Sequence, residues 1–372
     1  MLDRIKLLRE LHTASHKLFL DLQDEYQSAQ HAWDLMCQDP LFLPKVQAHN
    51  TLSLATWCGP VDASYAVNSY AGPHHVLAVD GSQIYPDKHQ GTSCFLINIG
   101  SILLSYGEQQ GACKLWSEPF IFADQYDDDQ LRSVDMVNGK REEYEFQVGL
   151  HYAKDIQKRS KDPVIFLFDG SLVFWHLEGK DLVLKNFFLE KYKQLLEGFC
   201  KEQILMAGYL SLPKNKELVL LARAHVTDFA LATKEHTELF KHTVDTDIAA
   251  LFLKPGMRST LFENHNAISE FFSPDIKPYF FYYHARVEIV RIEVPGYIAQ
   301  SEEKIALVIS LIANQVEKGQ GYPVSVAEAH EQAVIKGADR EFFYQMVQKI
   351  GFERCKRVVP SQKSNKKRRM VV

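Results

Sequence analysis

Apolar positions in the first 35 residues recur at helical spacing (Ile5, Leu8, Leu11, Leu18, Leu22), with charged residues between them. That pattern predicts one or two amphipathic helices. A stretch rich in Pro, Ser, Thr and Gly then reads as loop as far as Pro73. Beyond it the period changes. His75-Val-Leu-Ala-Val-Asp80 reads as a short buried strand ending at Asp80-Gly81-Ser82. Cys94–Gly100 and Ile102–Tyr106 read as two more strands joined by a turn at Gly100-Ser101. A helix is predicted from Glu142 to about Lys158, followed by a wholly apolar strand at Pro163–Asp169 that ends at Asp169-Gly170-Ser171. Next come a helix at about Leu184–Cys200 and a strand at Gln203–Tyr209, while Leu218–Leu221 suits either a strand or the start of a helix. The alternation across Tyr279–Val294 predicts a hairpin or meander, and Glu302–Glu317, Ser325–Ile335 and Arg340–Ile350 predict helices. Strands and helices in this order make a mixed α/β class without solenoid repeats.

Composition narrows the class without naming a function. The 372 residues are 46% hydrophobic and 24% charged, which excludes a disordered, collagen-like or disulfide-stapled chain. The six cysteines form no CxxC pair, so zinc-ribbon and thioredoxin readings have no support, and buried free thiols are expected. The charged N-terminus lacks an apolar h-region, and no stretch reaches the roughly 18 apolar residues of a membrane span. A cytoplasmic protein with no membrane association is therefore expected. The formal charge of −5 argues at first against nucleic-acid binding. However, Lys356–Val372 holds seven basic residues and no acid, and without them the −5 becomes −12. An acidic body with a basic tail admits two readings of that tail, a solubilising end or a tether to phosphate.

The recurrence of Asp-Gly-Ser at 80–82 and 169–171 carries the chemistry. Each triplet ends a near-continuous apolar run (Val76–Val79, Val164–Phe168), as expected of strands buried on both faces. An Asp at such a strand end faces the crevice where α/β sheets hold ligands. Two carboxylates on adjacent strands repel unless a cation lies between them, and hard divalent ions prefer carboxylate oxygens. The plain alternative is that each Asp-Gly simply makes a turn. Between the triplets, Arg141-Glu142-Glu143-Tyr144-Glu145 opens the expected helix, where acids are favoured by the helix dipole in any case. Downstream, Tyr322 stands at the entry to a helix that carries His330, a candidate to ligate metal or orient water.

In these segments the chain resembles the NurA nucleases. The matching segments are Ala78-Val-Asp-Gly-Ser82, Val164-Ile-Phe-Leu-Phe-Asp-Gly-Ser-Leu172, more loosely Gly208–Lys214, then Asp247 through Leu253-Lys-Pro-Gly-Met-Arg-Ser259, and Gly321–His330. The resemblance implies an RNase H-like core and Mn²⁺-dependent cleavage of DNA, by single-strand endonuclease and 5′–3′ exonuclease activities in double-strand break end resection. It also implies a homodimer and a HerA-type hexameric ATPase as partner. It makes Asp80, Asp169 and His330 metal ligands, with Tyr322 beside His330. Of the three helical glutamates, Glu145 is favoured as a further ligand, with Glu142 next, and the stripe it shares would include Gly149 and Tyr152. Two Mn²⁺ or Mg²⁺ ions would activate water and stabilise the leaving oxygen. Lys214 and Arg258 are expected to touch DNA. The sequence departs from the family pattern at Gln83, Val326, Leu210 and Leu212.

Two other functions compete: a catalytically silent clamp or ATPase adaptor, and another metal-dependent phosphoryl-transfer enzyme. A clamp has no need of Asp80, Asp169, Tyr322 and His330 together, and the chain has no GxxxxGK[ST] phosphate loop. The expected architecture has an N-terminal helical region (1–73) and an RNase H-like nuclease domain (74–350) with a helical insertion at about 215–278. A basic tail (351–372) follows. In the insertion, Lys241, His242, Lys254, Arg258, Phe271 and Phe272 either line a DNA path or belong to a structural cap.

Overall fold

A computed structural model describes residues 2–18, 21–87, 94–107, 111–123 and 133–354. The basic tail from residue 355 lies outside the described residues. The N-terminal part forms α1 (Arg4–Leu18), α2 (Gln23–Cys37), α3 (Phe42–Ala48), β1 (Thr56–Trp57) and β2 (Ser64–Ala66). The central part follows as β3 (His74–Ile84), β4 (Phe95–Tyr106), β5 (Ala112–Phe122), α4 (Val134–Arg159), β6 (Val164–Asp169), α5 (Leu182–Lys201) and β7 (Leu205–Leu210). The insertion holds α6 (Glu217–Val226), α7 (Lys234–Glu238), α8 (Asp245–Ala249), β8 (Met257–Ser259) and β9 (Phe262–Glu263). The chain then runs through β10 (Pro278–His284), β11 (Ile289–Pro295), α9 (Gly296–Ala299), α10 (Glu302–Lys318), α11 (Val324–Ala333) and α12 (Gly337–Glu353). No helix among the described residues is long and apolar enough to cross a membrane.

One mixed sheet organises all of this, with β5, β4, β3, β6, β7, β11, β10, β9 and β1 in spatial order and β2–β8 attached at β10. β3, β4 and β5 form an antiparallel meander, and β6 and β7 lie parallel to β3. That five-strand unit has the RNase H-like topology implied by the resemblance. Parallel neighbours and helices on both faces explain why β3 and β6 read as unbroken apolar runs. Between β6 and its covering helices, Phe146, Phe166, Phe168, Phe174, Tyr192 and Phe199 are packed ring on ring. Burying each such side chain stabilises by roughly 1.5–3 kcal/mol.

Several expected boundaries change. The strand does not stop at Asp80, because β3 continues to Ile84 in register with β4. No turn divides Gly100 from Ser101, and β4 runs straight through. Gly100 is instead the point where α11 approaches most closely, since a Cβ there would collide with the Ala333 backbone. The helix expected from Glu142 starts eight residues earlier at Val134, where the Ser133 side chain accepts from Met136 N at 3.1 Å. The Glu142–Glu145 run is thus mid-helix, so the helix dipole does not account for it. Leu218–Leu221 is helical, within α6.

The N-terminal region is not purely helical, since β1 and β2 join the sheet. Its apolar residues (Trp33, Phe42, Trp57) share a core with insertion residues such as Leu218, Leu221, Ile248 and Phe262. Cys94 is buried as expected, whereas Cys58 and Cys113 are exposed.

Candidate active site

Parallel pairing of β3 with β6 aligns Val79 with Phe168, which makes Asp80 and Asp169 the next rung. Phe168 packs on Phe146 of α4, ring centroids 4.6 Å apart. Strand alternation therefore turns Asp169 to the opposite face. Asp80 pairs with Gly100, the residue that α11 covers, so it shares that face. The Asp80 carboxylate divides its oxygens. Oδ1 accepts from Gly81 N at 2.7 Å, and Oδ2 lies 2.7 Å from His330 Nδ1. His330 stands on α11, whose last turn is anchored to β3 and β4. The Ser82 hydroxyl donates to Ala333 O, and Asn98 Nδ2 donates to the same carbonyl at 2.9 Å. These bonds satisfy helix carbonyls that have no intrahelical partner.

Tyr322 precedes α11, and its hydroxyl and the Asp169 carboxylate perturb each other. Its ring meets Tyr209 edge-on at 5.4 Å, and Tyr209 is the β7 neighbour of Asp169. Burial pushes the Tyr322 phenol well up, with Asp169 adding to the effect, so it remains a donor at neutral pH. Asp169 is itself raised, first by burial and then by Asp80, against the lowering effects of Tyr322 and His330.

Glu145 reaches the site from the other side of β3. α4 crosses Gly81, and a Cβ on that glycine would lie 2.5 Å from Glu145 Oε1 and 2.6 Å from Arg141 Cγ. Without a Cβ, Gly81 leaves room for both where they stand. Glu145 Oε1 lies 3.3 Å from Arg141 Nε, close enough for an ion pair but without hydrogen-bond alignment. Full burial raises the Glu145 pKa well above the carboxylate range. Arg141 offsets part of this, while Asp80, Glu142 and Asp169 add to it. Burial also works against the Arg141 charge, but Glu145, Asp80 and Glu142 outweigh it and raise the pKa of the guanidinium. The other two glutamates are engaged elsewhere. Glu142 Oε2 lies 3.1 Å from His176 Nε2, and Glu143 pairs with Lys140 at 2.7 Å. Along the expected Glu145 stripe, Gly149 seats Phe166, and Tyr152 donates to Glu118 at 2.6 Å.

The structure thus brings Asp80, Glu145, Asp169, Tyr322 and His330 together, and Arg258 is engaged with other residues. Lys214 is exposed in the loop after β7. Arg258 is buried, its guanidinium 3.3 Å from Glu302 and over the Tyr65 ring at 4.5 Å, so it is occupied within the fold. Of the other insertion candidates, Phe272 is core, Phe271 lies under Lys193, and Lys241 pairs with Glu238. Sequence reasoning missed the part played by Arg141. Its position one turn before Glu145 was the available signal.

The donor set suits a hard divalent cation in kind, being three carboxylates and an imidazole. Two of the carboxylates carry a burial penalty that a bound cation relieves. As they stand, no three His, Cys, Asp or Glu side chains among the described residues enclose an ion. His330 instead meets one oxygen of Asp80, and Arg141 stands beside Glu145 as a counter-charge.

Comparison with solved structures finds a NurA crystal structure with manganese, 12% identical, covering 90% of this chain and 96% of that one at a TM-score of 0.42. NurA bound to dAMP and manganese is 12% identical, with 74% of this chain and 88% of that one covered and a TM-score of 0.35. RNase H1 from the halophilic archaeon Halobacterium salinarum NRC-1 is 13% identical, covering 42% of this chain and 98% of that one at a TM-score of 0.22. No curated protein sequence matches significantly. The NurA domain matches residues 74–335, well over half of the chain and every segment that builds the site, and the chain therefore belongs to the NurA domain family.

Proposed function

We propose that this protein is a divalent-metal-dependent DNA nuclease that hydrolyses phosphodiester bonds during processing of double-strand ends. The single observation that carries this is the rung of Asp80 and Asp169 on adjacent parallel strands, with Glu145 admitted beside it over Gly81. Asp80, Glu145, Asp169 and His330 would hold Mn²⁺ or Mg²⁺, two ions in the full reading. When bound, the metal supplies Lewis-acid stabilisation of the phosphoryl oxygens and lowers the pKa of attacking water. The protein's own groups do the rest. Tyr322, kept protonated, sets a neutral hydroxyl beside the Asp169 carboxylate. His330 directs Nδ1 to Asp80, and its imidazole, 61% exposed, stands where a phosphate or water can meet it. Single-strand endonuclease and 5′–3′ exonuclease action in the cytoplasm, as a homodimer alongside a HerA-type ATPase, completes the proposal on the strength of the family.

The test is cleavage of single- and double-stranded DNA across a Mn²⁺ titration, with Asp80→Asn and Asp169→Asn as controls. Each substitution keeps the shape and removes a charge that repels its neighbour, so melting temperature holds or rises while cleavage falls at least about 10³-fold. Cleavage that survives both changes, or that persists in chelator, sinks the proposal.

A further inference from the structure

The second Asp-Gly-Ser triplet is held by a residue that no other part of the site accounts for. Glu293 on β11 is fully buried. Its Oε2 accepts from Ser171 Oγ at 2.8 Å and from Leu172 N at 2.7 Å, and its Oε1 accepts from Arg291 Nε at 2.7 Å. Arg291, equally buried, is steadied by Glu217 at 3.0 Å, by the Tyr282 hydroxyl at 3.3 Å and by the face of Phe280 at 3.6 Å. Sinking a carboxylate and a guanidinium this deeply gains little stability over an apolar pair, so what the pair adds is geometric definition. What it defines is the turn that leaves Asp169, since two of Glu293's three donors lie two and three residues beyond that carboxylate. The same turn is pressed from below, where a Cβ on Gly208 would lie 2.5 Å from Gly170 O.

The geometry assigns to Glu293 the role of positioning residue for the carboxylate site: it pins Ser171 and Leu172, and thereby holds Asp169 in place beside Asp80 and Tyr322. A carboxylate suits this place because three donors converge on its two oxygens. A glutamine would turn its NH₂ toward one of them whichever way the amide is set. The consequence for cleavage rests on the nuclease reading above.

The experiment compares wild type, Glu293→Gln and the paired swap Arg291→Met/Glu293→Met, all in the full chain. The swap removes both charges of the buried pair at similar volume, and because it also takes Arg291 from Glu217 the fold of each variant is checked by its exchange at β3. Hydrogen exchange of a peptide covering 169–173 is read against one covering β3. Mn²⁺ binding is followed by calorimetry, and kcat and KM are measured on a single-stranded oligonucleotide. The expected result is exchange at 169–173 faster by about tenfold or more with β3 unchanged, Mn²⁺ affinity lower by about 10–100-fold, and a fall in kcat with KM preserved. A wild type that does not cleave with Mn²⁺ overturns the nuclease reading and this inference with it. A wild type that cleaves, matched by folded variants in exchange, Mn²⁺ affinity and kcat, overturns this inference alone.

Discussion

Replacing Gly81 by alanine adds one methyl group, and the structure says where it goes. The new Cβ sits 2.5 Å from Glu145 Oε1 and 2.6 Å from Arg141 Cγ, against an ordinary contact of at least 3.4 Å. Both side chains must retreat by about 0.8–0.9 Å to relieve the overlap. They can do so, because one atom ends a flexible side chain and the other lies along a stem, while the strand backbone at residue 81 has no positive φ that would strain an alanine. Losing a glycine also narrows the unfolded ensemble, which stabilises by about 0.4–1 kcal/mol and offsets part of the crowding. Net stability should therefore stay within about 1 kcal/mol of wild type. The site should not fare so well, since displacing a reacting group by 1 Å costs about 10²-fold in rate. Urea unfolding and kcat on a single-stranded oligonucleotide at saturating Mn²⁺ test both halves. A double-mutant cycle isolates the route: in a Glu145→Ala background the same methyl group should cost far less, because the displaced carboxylate is already gone. Wild-type cleavage by Gly81→Ala, an activity loss that tracks a large fall in stability, or an additive cycle would refute this role for Gly81.

Two further predictions concern buried polar groups. Arg291→Met alone strands Glu293 and deprives Glu217 of its partner, and should cost about 3–5 kcal/mol, a large part of a typical total of about 5–15; a loss under about 1 kcal/mol by urea titration would contradict the buried pairing. His74 is enclosed, its ring stacked on Tyr106 at 4.5 Å, and burial, with the Lys318 charge adding, holds its pKa below the ordinary 6.5. The unfolded chain therefore binds a proton that the folded one refuses, so this group's contribution is complete above pH 6.5 and is lost as pH falls below it. His74→Phe should flatten the decline of unfolding free energy between about pH 7.5 and 5, and slopes parallel to wild type would dismiss the assignment.

What the sequence made legible was whatever local pattern determines. β3 and β6 stood out because strands covered on both faces cannot alternate, and an acid ending such a run is conspicuous. What it hid depends on elements far along the chain. Gly100 carries a breaker's signature, yet it is needed by α11, which arrives more than 220 residues later. Gly139 and the polar residues around it masked the first two turns of α4, though that glycine sits inside the helix and admits the Phe188 ring. β11 was the deepest concealment. Its Arg291 and Glu293 fall on alternate positions, as in a strand with one wet face, yet both are fully buried. Period-2 patterning reports polarity, and polarity equals exposure only when no opposite charge waits inside.

The two Asp-Gly-Ser triplets also divide their labour in a way that turn chemistry alone does not capture. Each aspartate faces the site. Each serine leaves it and ties down a neighbouring element: Ser82 the last turn of α11, which carries His330, and Ser171 the buried carboxylate of β11. The glycines differ. Gly81 opens β3 to Glu145 from the opposite face, whereas Gly170 turns the chain at the end of β6, its carbonyl packed where a Cβ on Gly208 would fall. A triplet that merely initiated a turn would leave its serine free to vary and its glycine indifferent to a methyl group. Here the serines anchor α11 and β11 next to the two aspartates and the glycines lie in close contacts, so each triplet does more than turn the chain.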